Sequence, residues 1–142
     1  MSEKERITQT AIKFAGLMQA NFKLQAHKCQ IIRNRKFTIF ADQMFLPFTL
    51  DSAISFEQLT DNGSACNKAE ILLLPEELPA FSFTLKEHAI PLPTDCHQHL
   101  TVNLRLVSYY IETREPPEHF ASRLSAAFET IEPLQGHAIS LY

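Results

Sequence analysis

The chain has 142 residues, 45% of them hydrophobic and 20% charged, with a formal net charge of −3. That balance suits one globular domain and excludes a disordered or low-complexity chain, and no apolar run approaches the roughly 20 residues that cross a bilayer. Eleven Phe without a Trp predict a Phe-rich core, and Cys29, Cys66 and Cys96 are too few and too scattered for a disulfide framework.

Ser2 followed by Glu5 forms a capping box that opens a helix running to Asn21 or Phe22, with Ile7, Ala11, Phe14, Ala15, Met18 and Phe22 as its inner stripe. Gly16, beside that stripe, is read as a site of close packing against a sheet. Gln25 to Ile32 and Phe37 to Phe48 are rich in β-formers, and Arg33-Asn34-Arg35-Lys36 between them reads as the basic turn of a hairpin. Pro47 ends or edges the second strand. Asp51-Ser52 can start a short helix through Leu59, and Asp61-Asn62-Gly63-Ser64 is a turn. Glu70 to Leu74 suits a buried central strand, after which Leu74 to Pro79 reverses the chain.

Ala80 to Glu87 alternates, which predicts a strand with Phe81, Phe83 and Leu85 inward. Pro91 and Pro93 stiffen the loop into a long strand with Leu100, Val102, Leu104 and Leu106 on one face. The apolar phase then slips to Val107, Tyr109 and Ile111, the mark of a bulge near Ser108 or of a strand end covered on both faces. Phe120, Leu124, Ala127, Phe128 and Ile131 form one stripe of a closing helix that Pro133 ends. Ala138 to Tyr142 can add an edge strand or a packed tail. The expected fold is a single α+β domain over 1–142, an antiparallel sheet of about five strands flanked by an N-terminal and a C-terminal amphipathic helix.

With Gly only at 16, 63 and 136, glycine-rich phosphate loops and dinucleotide fingerprints are excluded, and no Gly-x-Ser-x-Gly or His-Glu-x-x-His motif occurs. Asp95-Cys96-His97-Gln98-His99 is the densest group of potential ligands. Extended, it puts His97 and His99 on one face, but a metal site needs further ligands at spacings the sequence lacks. It reads more simply as a solvated loop, with no metal or other cofactor. Cys29 and His27 would sit about 7 Å apart on a strand face, too far for a nucleophile pair. The carboxylate pairs Glu76 with Glu77 and Glu115 with Glu118 flank prolines and suit helix starts.

Charge distribution is the least generic feature. Arg6 to Ala41 holds seven basic residues and no acid, whereas the chain from Asp42 onward holds five basic residues against fourteen acids. The expected ligand- or partner-binding residues are therefore Lys23, Lys28, Arg33, Arg35 and Lys36, along the first hairpin and its turn. Internal pairing between the two parts would instead make the asymmetry a feature of folding. The missing catalytic motifs favour a non-enzymatic protein-interaction module of the adaptor, chaperone-like or neutralising kind, bound to another protein or to a second copy. That reading predicts an exposed apolar patch or sheet edge. The alternatives are a module gripping a small anion, nucleotide or RNA with the basic hairpin, and a metal-dependent enzyme using His97 and His99. With no apolar signal segment behind the charged N-terminus, the cytoplasm is the expected location.

Overall fold

The computed structural model describes residues 2–103, 105–132 and 138–140. It is an α+β fold in which helices cover one face of an antiparallel sheet. Helix α1 spans Glu3–Met18, and the Ser2 hydroxyl accepts the Glu5 N–H at 3.1 Å, as the capping box requires. Gln19 closes the helix in the left-handed region at φ 53°. Ile7, Ala11, Phe14, Ala15 and Met18 are buried, whereas Phe22 opens strand β1 (Phe22–Gln25). Gly16 does not pack against the sheet: a Cβ there meets nothing within 4 Å. Gly16→Ala should therefore stabilise the protein by about 0.5–1 kcal/mol, read as a higher urea midpoint.

The expected basic turn at 33–36 is not a turn. Strand β2 runs unbroken from Lys28 to Ala41, followed by β3 from Met44 to Glu57. The actual turns lie at Ala26-His27 (φ 52° and 64°) and Asp42-Gln43 (φ 51° and 63°). Both are two-residue connections with positive φ at each position, the backbone twist that antiparallel neighbours require. Strand β3 also replaces the short helix expected from Asp51. The turn at 61–64 is present, with the Asn62 side chain accepting the Ser64 N–H at 3.1 Å.

Strand β4 (Ala65–Leu73) is central and leads through a 3₁₀ turn (Pro75–Glu77) into helix α2 (Leu78–Glu87). The strand expected at 80–87 is this helix. Phe81 and Leu85, one helical turn apart, are buried, while Phe83 between them is 66% exposed. The long strand expected from residue 100 is a hairpin: β5 (His97–Asn103) and β6 (Leu106–Glu115) pair antiparallel, with Asn103 opposite Leu106. The phase slip thus marks the change of strand between Asn103 and Leu106, and Ser108 lies in an unbroken ladder opposite Thr101. Helix α3 (Pro117–Ile131) buries every residue of its predicted stripe. Strand β7 (Ala138–Ser140) pairs parallel with β2 at Thr38–Phe40. Leu104, Pro133 and residues 141–142 lie outside the described residues.

The sheet order is β1-β2-β3-β4-β6-β5, with β7 also against β2. The main core lies between the sheet and the three helices. Phe14 meets Phe56 edge-on at 5.1 Å, and Phe81 meets Phe128 at 5.3 Å. The other sheet face carries polar side chains, including Ser55, Lys68, Glu70 and Glu112.

Candidate functional site

Alternation along β2 divides the five predicted binding residues between the two faces of the sheet. Lys28 and Lys36 face outward, as does Lys23 opposite Gln30, whereas Arg33 and Arg35 face the helices. Lys28 and Lys36 lie about 26 Å apart by strand rise, beyond the span of one small anion. Lys23 and Lys28 do line one open concavity of about 1050 Å³ on the sheet, together with Gln30, Asn34 and Lys68. Glu70 and Glu132 line it too, so it is not uniformly basic.

The inward arginines are tied to acids distant in sequence. Arg35 is fully buried and grips both Glu77 carboxylate oxygens, at 2.7 and 3.0 Å, while donating to the Leu72 carbonyl at 2.8 Å. Arg33 donates to the Met18 carbonyl at the end of α1 and pairs with Glu132, its guanidinium 4.6 Å from the centre of the Phe128 ring. Burial pulls the Arg33 pKa down, with the neighbouring Arg35 charge adding to the effect. Arg6 pairs with Asp61 at 3.4 Å. In each pair the base comes from the basic N-terminal part and the acid from the remainder, so the three arginines of that part are paired within the fold.

A further buried pair, Arg123 with Glu115, joins α3 to β6. Glu115 also accepts from the Thr113 hydroxyl at 2.6 Å, and Asn67 donates to the Glu115 carbonyl at 3.0 Å. Cys29 is fully buried and its thiol is pushed up to about 12, which leaves no thiolate for nucleophilic chemistry at neutral pH. His97 and His99 share the outer face as alternation requires. His97 lies opposite Glu112, and His99 stacks on Tyr110 at 4.8 Å. Among the described residues no three His, Cys, Asp or Glu side chains stand together as a metal site.

The apolar surface that does stand out was hidden in sequence inside a strand-forming run. Strands β2 and β3 pair from Cys29–Phe56 out to Ala41–Met44, but β4 accompanies β3 only over Ala53–Glu57. Beyond Ser52 the two strands form an arm. Its base is packed by Phe37, Leu50 and Leu74, with Phe37 stacked on Phe48 at 5.0 Å. Its outer part shows Phe40, Met44, Phe45 and Leu46 to solvent, Phe45 at 65%. These residues lie on both faces: Phe40 and Phe45 on one, their rings 5.0 Å apart, and Met44 and Leu46 on the other. Pro47 lies at a position whose main-chain groups point off the open edge of β3. It costs no ladder bond there and blocks the addition of another strand to β3.

The family described as Domain of Unknown Function (DUF1259) matches residues 9–130, the stretch from α1 through nearly all of α3. The chain belongs to that family. No curated protein and no solved structure matches it. The matched stretch of this DUF1259 member contains both the arm and the buried Arg35–Glu77 pair. Among the described residues no helix is long and apolar enough to cross a membrane.

Proposed function

We propose that this chain is a non-enzymatic protein-interaction module and that the β2–β3 arm is its docking surface for another protein. The carrying observation is the arm itself, a ribbon that leaves the sheet with Phe40, Met44, Phe45 and Leu46 exposed over both of its faces. Beyond its base the arm is only β2, β3 and, at Thr38–Phe40, the three-residue β7, and the exposed apolar side chains on its two faces gain burial from another surface. At about 25 cal/mol per Å² of apolar area removed from water, an aromatic and aliphatic cluster of this kind is an effective anchor. Adaptor, chaperone-like and neutralising roles are all compatible with such an arm. The reading as an anion-binding hairpin has lost support, because Arg33 and Arg35 are committed to internal acids.

The test is photo-crosslinking in the native cell, with a photoreactive amino acid placed at Phe45 and, as control, at exposed Asn34 on the outer sheet face. A discrete protein adduct from position 45, absent from position 34 and abolished by Leu46→Asp, is the expected result. Equal or absent labelling at the two positions would refute the arm as a docking surface.

A further inference from the structure

A second surface, at the opposite side of the sheet, points to a different partner. Among the described residues strand β5 is an edge strand paired on one side only, with β6, and all seven of its residues are exposed. Edge strands are ordinarily shielded by charged side chains, proline, a bulge or brevity. The other described edges follow that rule: β1 has four residues including Lys23, β7 has three, and the open side of β3 carries Pro47. Strand β5 reads His-Gln-His-Leu-Thr-Val-Asn, with no proline and no Lys, Arg, Asp or Glu.

The hydrogen-bonding phase of this edge follows from the hairpin. A two-residue connection closes on Asn103 and Leu106, which makes that pair a hydrogen-bonded one. By alternation Thr101, His99 and His97 also bond toward β6, leaving Gln98, Leu100 and Val102 with N–H and C=O groups directed off the edge. The side chains of those same residues point to the helix-bearing face, where Leu100 is 50% and Val102 68% exposed. Helix α2 runs beside them: Tyr109, opposite Leu100, packs on Phe81 at 6.0 Å and bonds Gln98 through its hydroxyl. From α2, Phe83 adds a further exposed ring.

This pattern is self-complementary. A second β5 laid antiparallel about a two-fold axis at Leu100 sets Leu100 against Leu100 and Gln98 against Val102, so every outward main-chain group of the three residues finds a partner. The pairing places Leu100 and Val102 in a seam with their symmetry mates, and β5 itself brings no Lys, Arg, Asp or Glu to it. We propose that the chain forms a two-fold homodimer by β5–β5 pairing about Leu100, which makes one continuous sheet through both copies. The β2–β3 arms lie away from this seam, and the proposal stands independently of the role given to them.

Sedimentation equilibrium of the full chain at pH 7.5 tests it. The expected result is twice the chain mass for the parent protein and a monomer for Leu100→Pro at the same concentration. Proline there deletes an N–H that β6 does not use, so the monomer keeps its own ladder. A second measurement covers the case in which that variant fails to fold. In a Cys96→Ser background, Leu100→Cys should give a disulfide-linked dimer on mild oxidation, because directly opposed residues of a hydrogen-bonded antiparallel pair have Cα atoms about 5.5 Å apart, within disulfide reach. Val102→Cys should not, since its symmetry mate lies about 13 Å away along the strand. A monomeric parent protein overturns the proposal. So does a dimer that survives Leu100→Pro, or one in which Leu100→Cys fails to cross-link preferentially over Val102→Cys.

Discussion

Glu77→Ala should cost the fold about 3–5 kcal/mol, because it leaves a charged guanidinium buried without its partner. The side chains of Arg35 and Glu77 are both fully buried. The Glu77 carboxylate receives both terminal nitrogens of Arg35 and, through Oε1, the Leu74 N–H at 2.8 Å. Removing it strands two kinds of donor at once, and water has no easy route to replace it. The loss is a large share of the roughly 5–15 kcal/mol that holds a domain of this size together. Urea denaturation followed by circular dichroism measures it. Replacing both partners, Arg35→Met with Glu77→Leu, should recover most of the loss, because two apolar side chains need no partner in the same space. A loss under about 1 kcal/mol for Glu77→Ala would mean that the site behaves as a solvated surface pair.

Phe128→Ala ranks second, at about 3–5 kcal/mol, the usual range for deleting a buried aromatic ring. Phe128 is fully buried, meets Phe81 edge-on at 79°, and lies beneath the guanidinium groups of Arg33 and Arg35, 4.6 and 6.0 Å from its centre. The substitution would open a cavity and remove the ring face that both cations share. Phe128→Leu separates the two contributions. It keeps most of the apolar volume, so the part of its destabilisation beyond a simple change of shape reports what the ring itself supplies: the cation–π contacts, worth about 2 kcal/mol when desolvated, and the edge-on contact with Phe81, worth about 1 kcal/mol. Thermal unfolding of both variants beside the parent protein gives the comparison. Equal losses in the two would assign the effect to contacts of the ring, with the two cations and with Phe81, and a loss in Phe128→Ala alone would assign it to packing volume.

The expectations that held were those carried by local, repeated signals. Helix α1 was legible because Ser2 and Glu5 mark its start and its apolar residues recur at helical spacing. Helix α3 was legible for the same periodic reason, from Phe120 to Ile131. The turn at 61–64 carries its own Asn and Gly chemistry. The misplaced turns lack it: Ala26-His27, Asp42-Gln43 and the connection at 104–105 contain no glycine, so nothing in those residues announced a hairpin. The basic cluster at 33–36 resembled a turn because its neutralising acids, Glu77 and Glu132, lie far along the chain.

By itself, then, the sequence determined an α+β fold with amphipathic helices toward its two ends, a Phe-rich core and a central strand, expected at 70–74 and found over Ala65–Leu73. Each of these follows from periodicity within a dozen or so residues. Only the tertiary structure decided whether Phe81 and Leu85 lay on a helix or a strand, since the positions fit both periods until α3 and Tyr109 packed against them. It also turned Arg33 and Arg35 from surface charges into core ones, and it left the β2–β3 arm and the β5 edge open. Those outcomes depend on which strands become neighbours and where pairing stops. Long-range register of that kind is an energy shared between distant segments, and no single stretch of chain contains it.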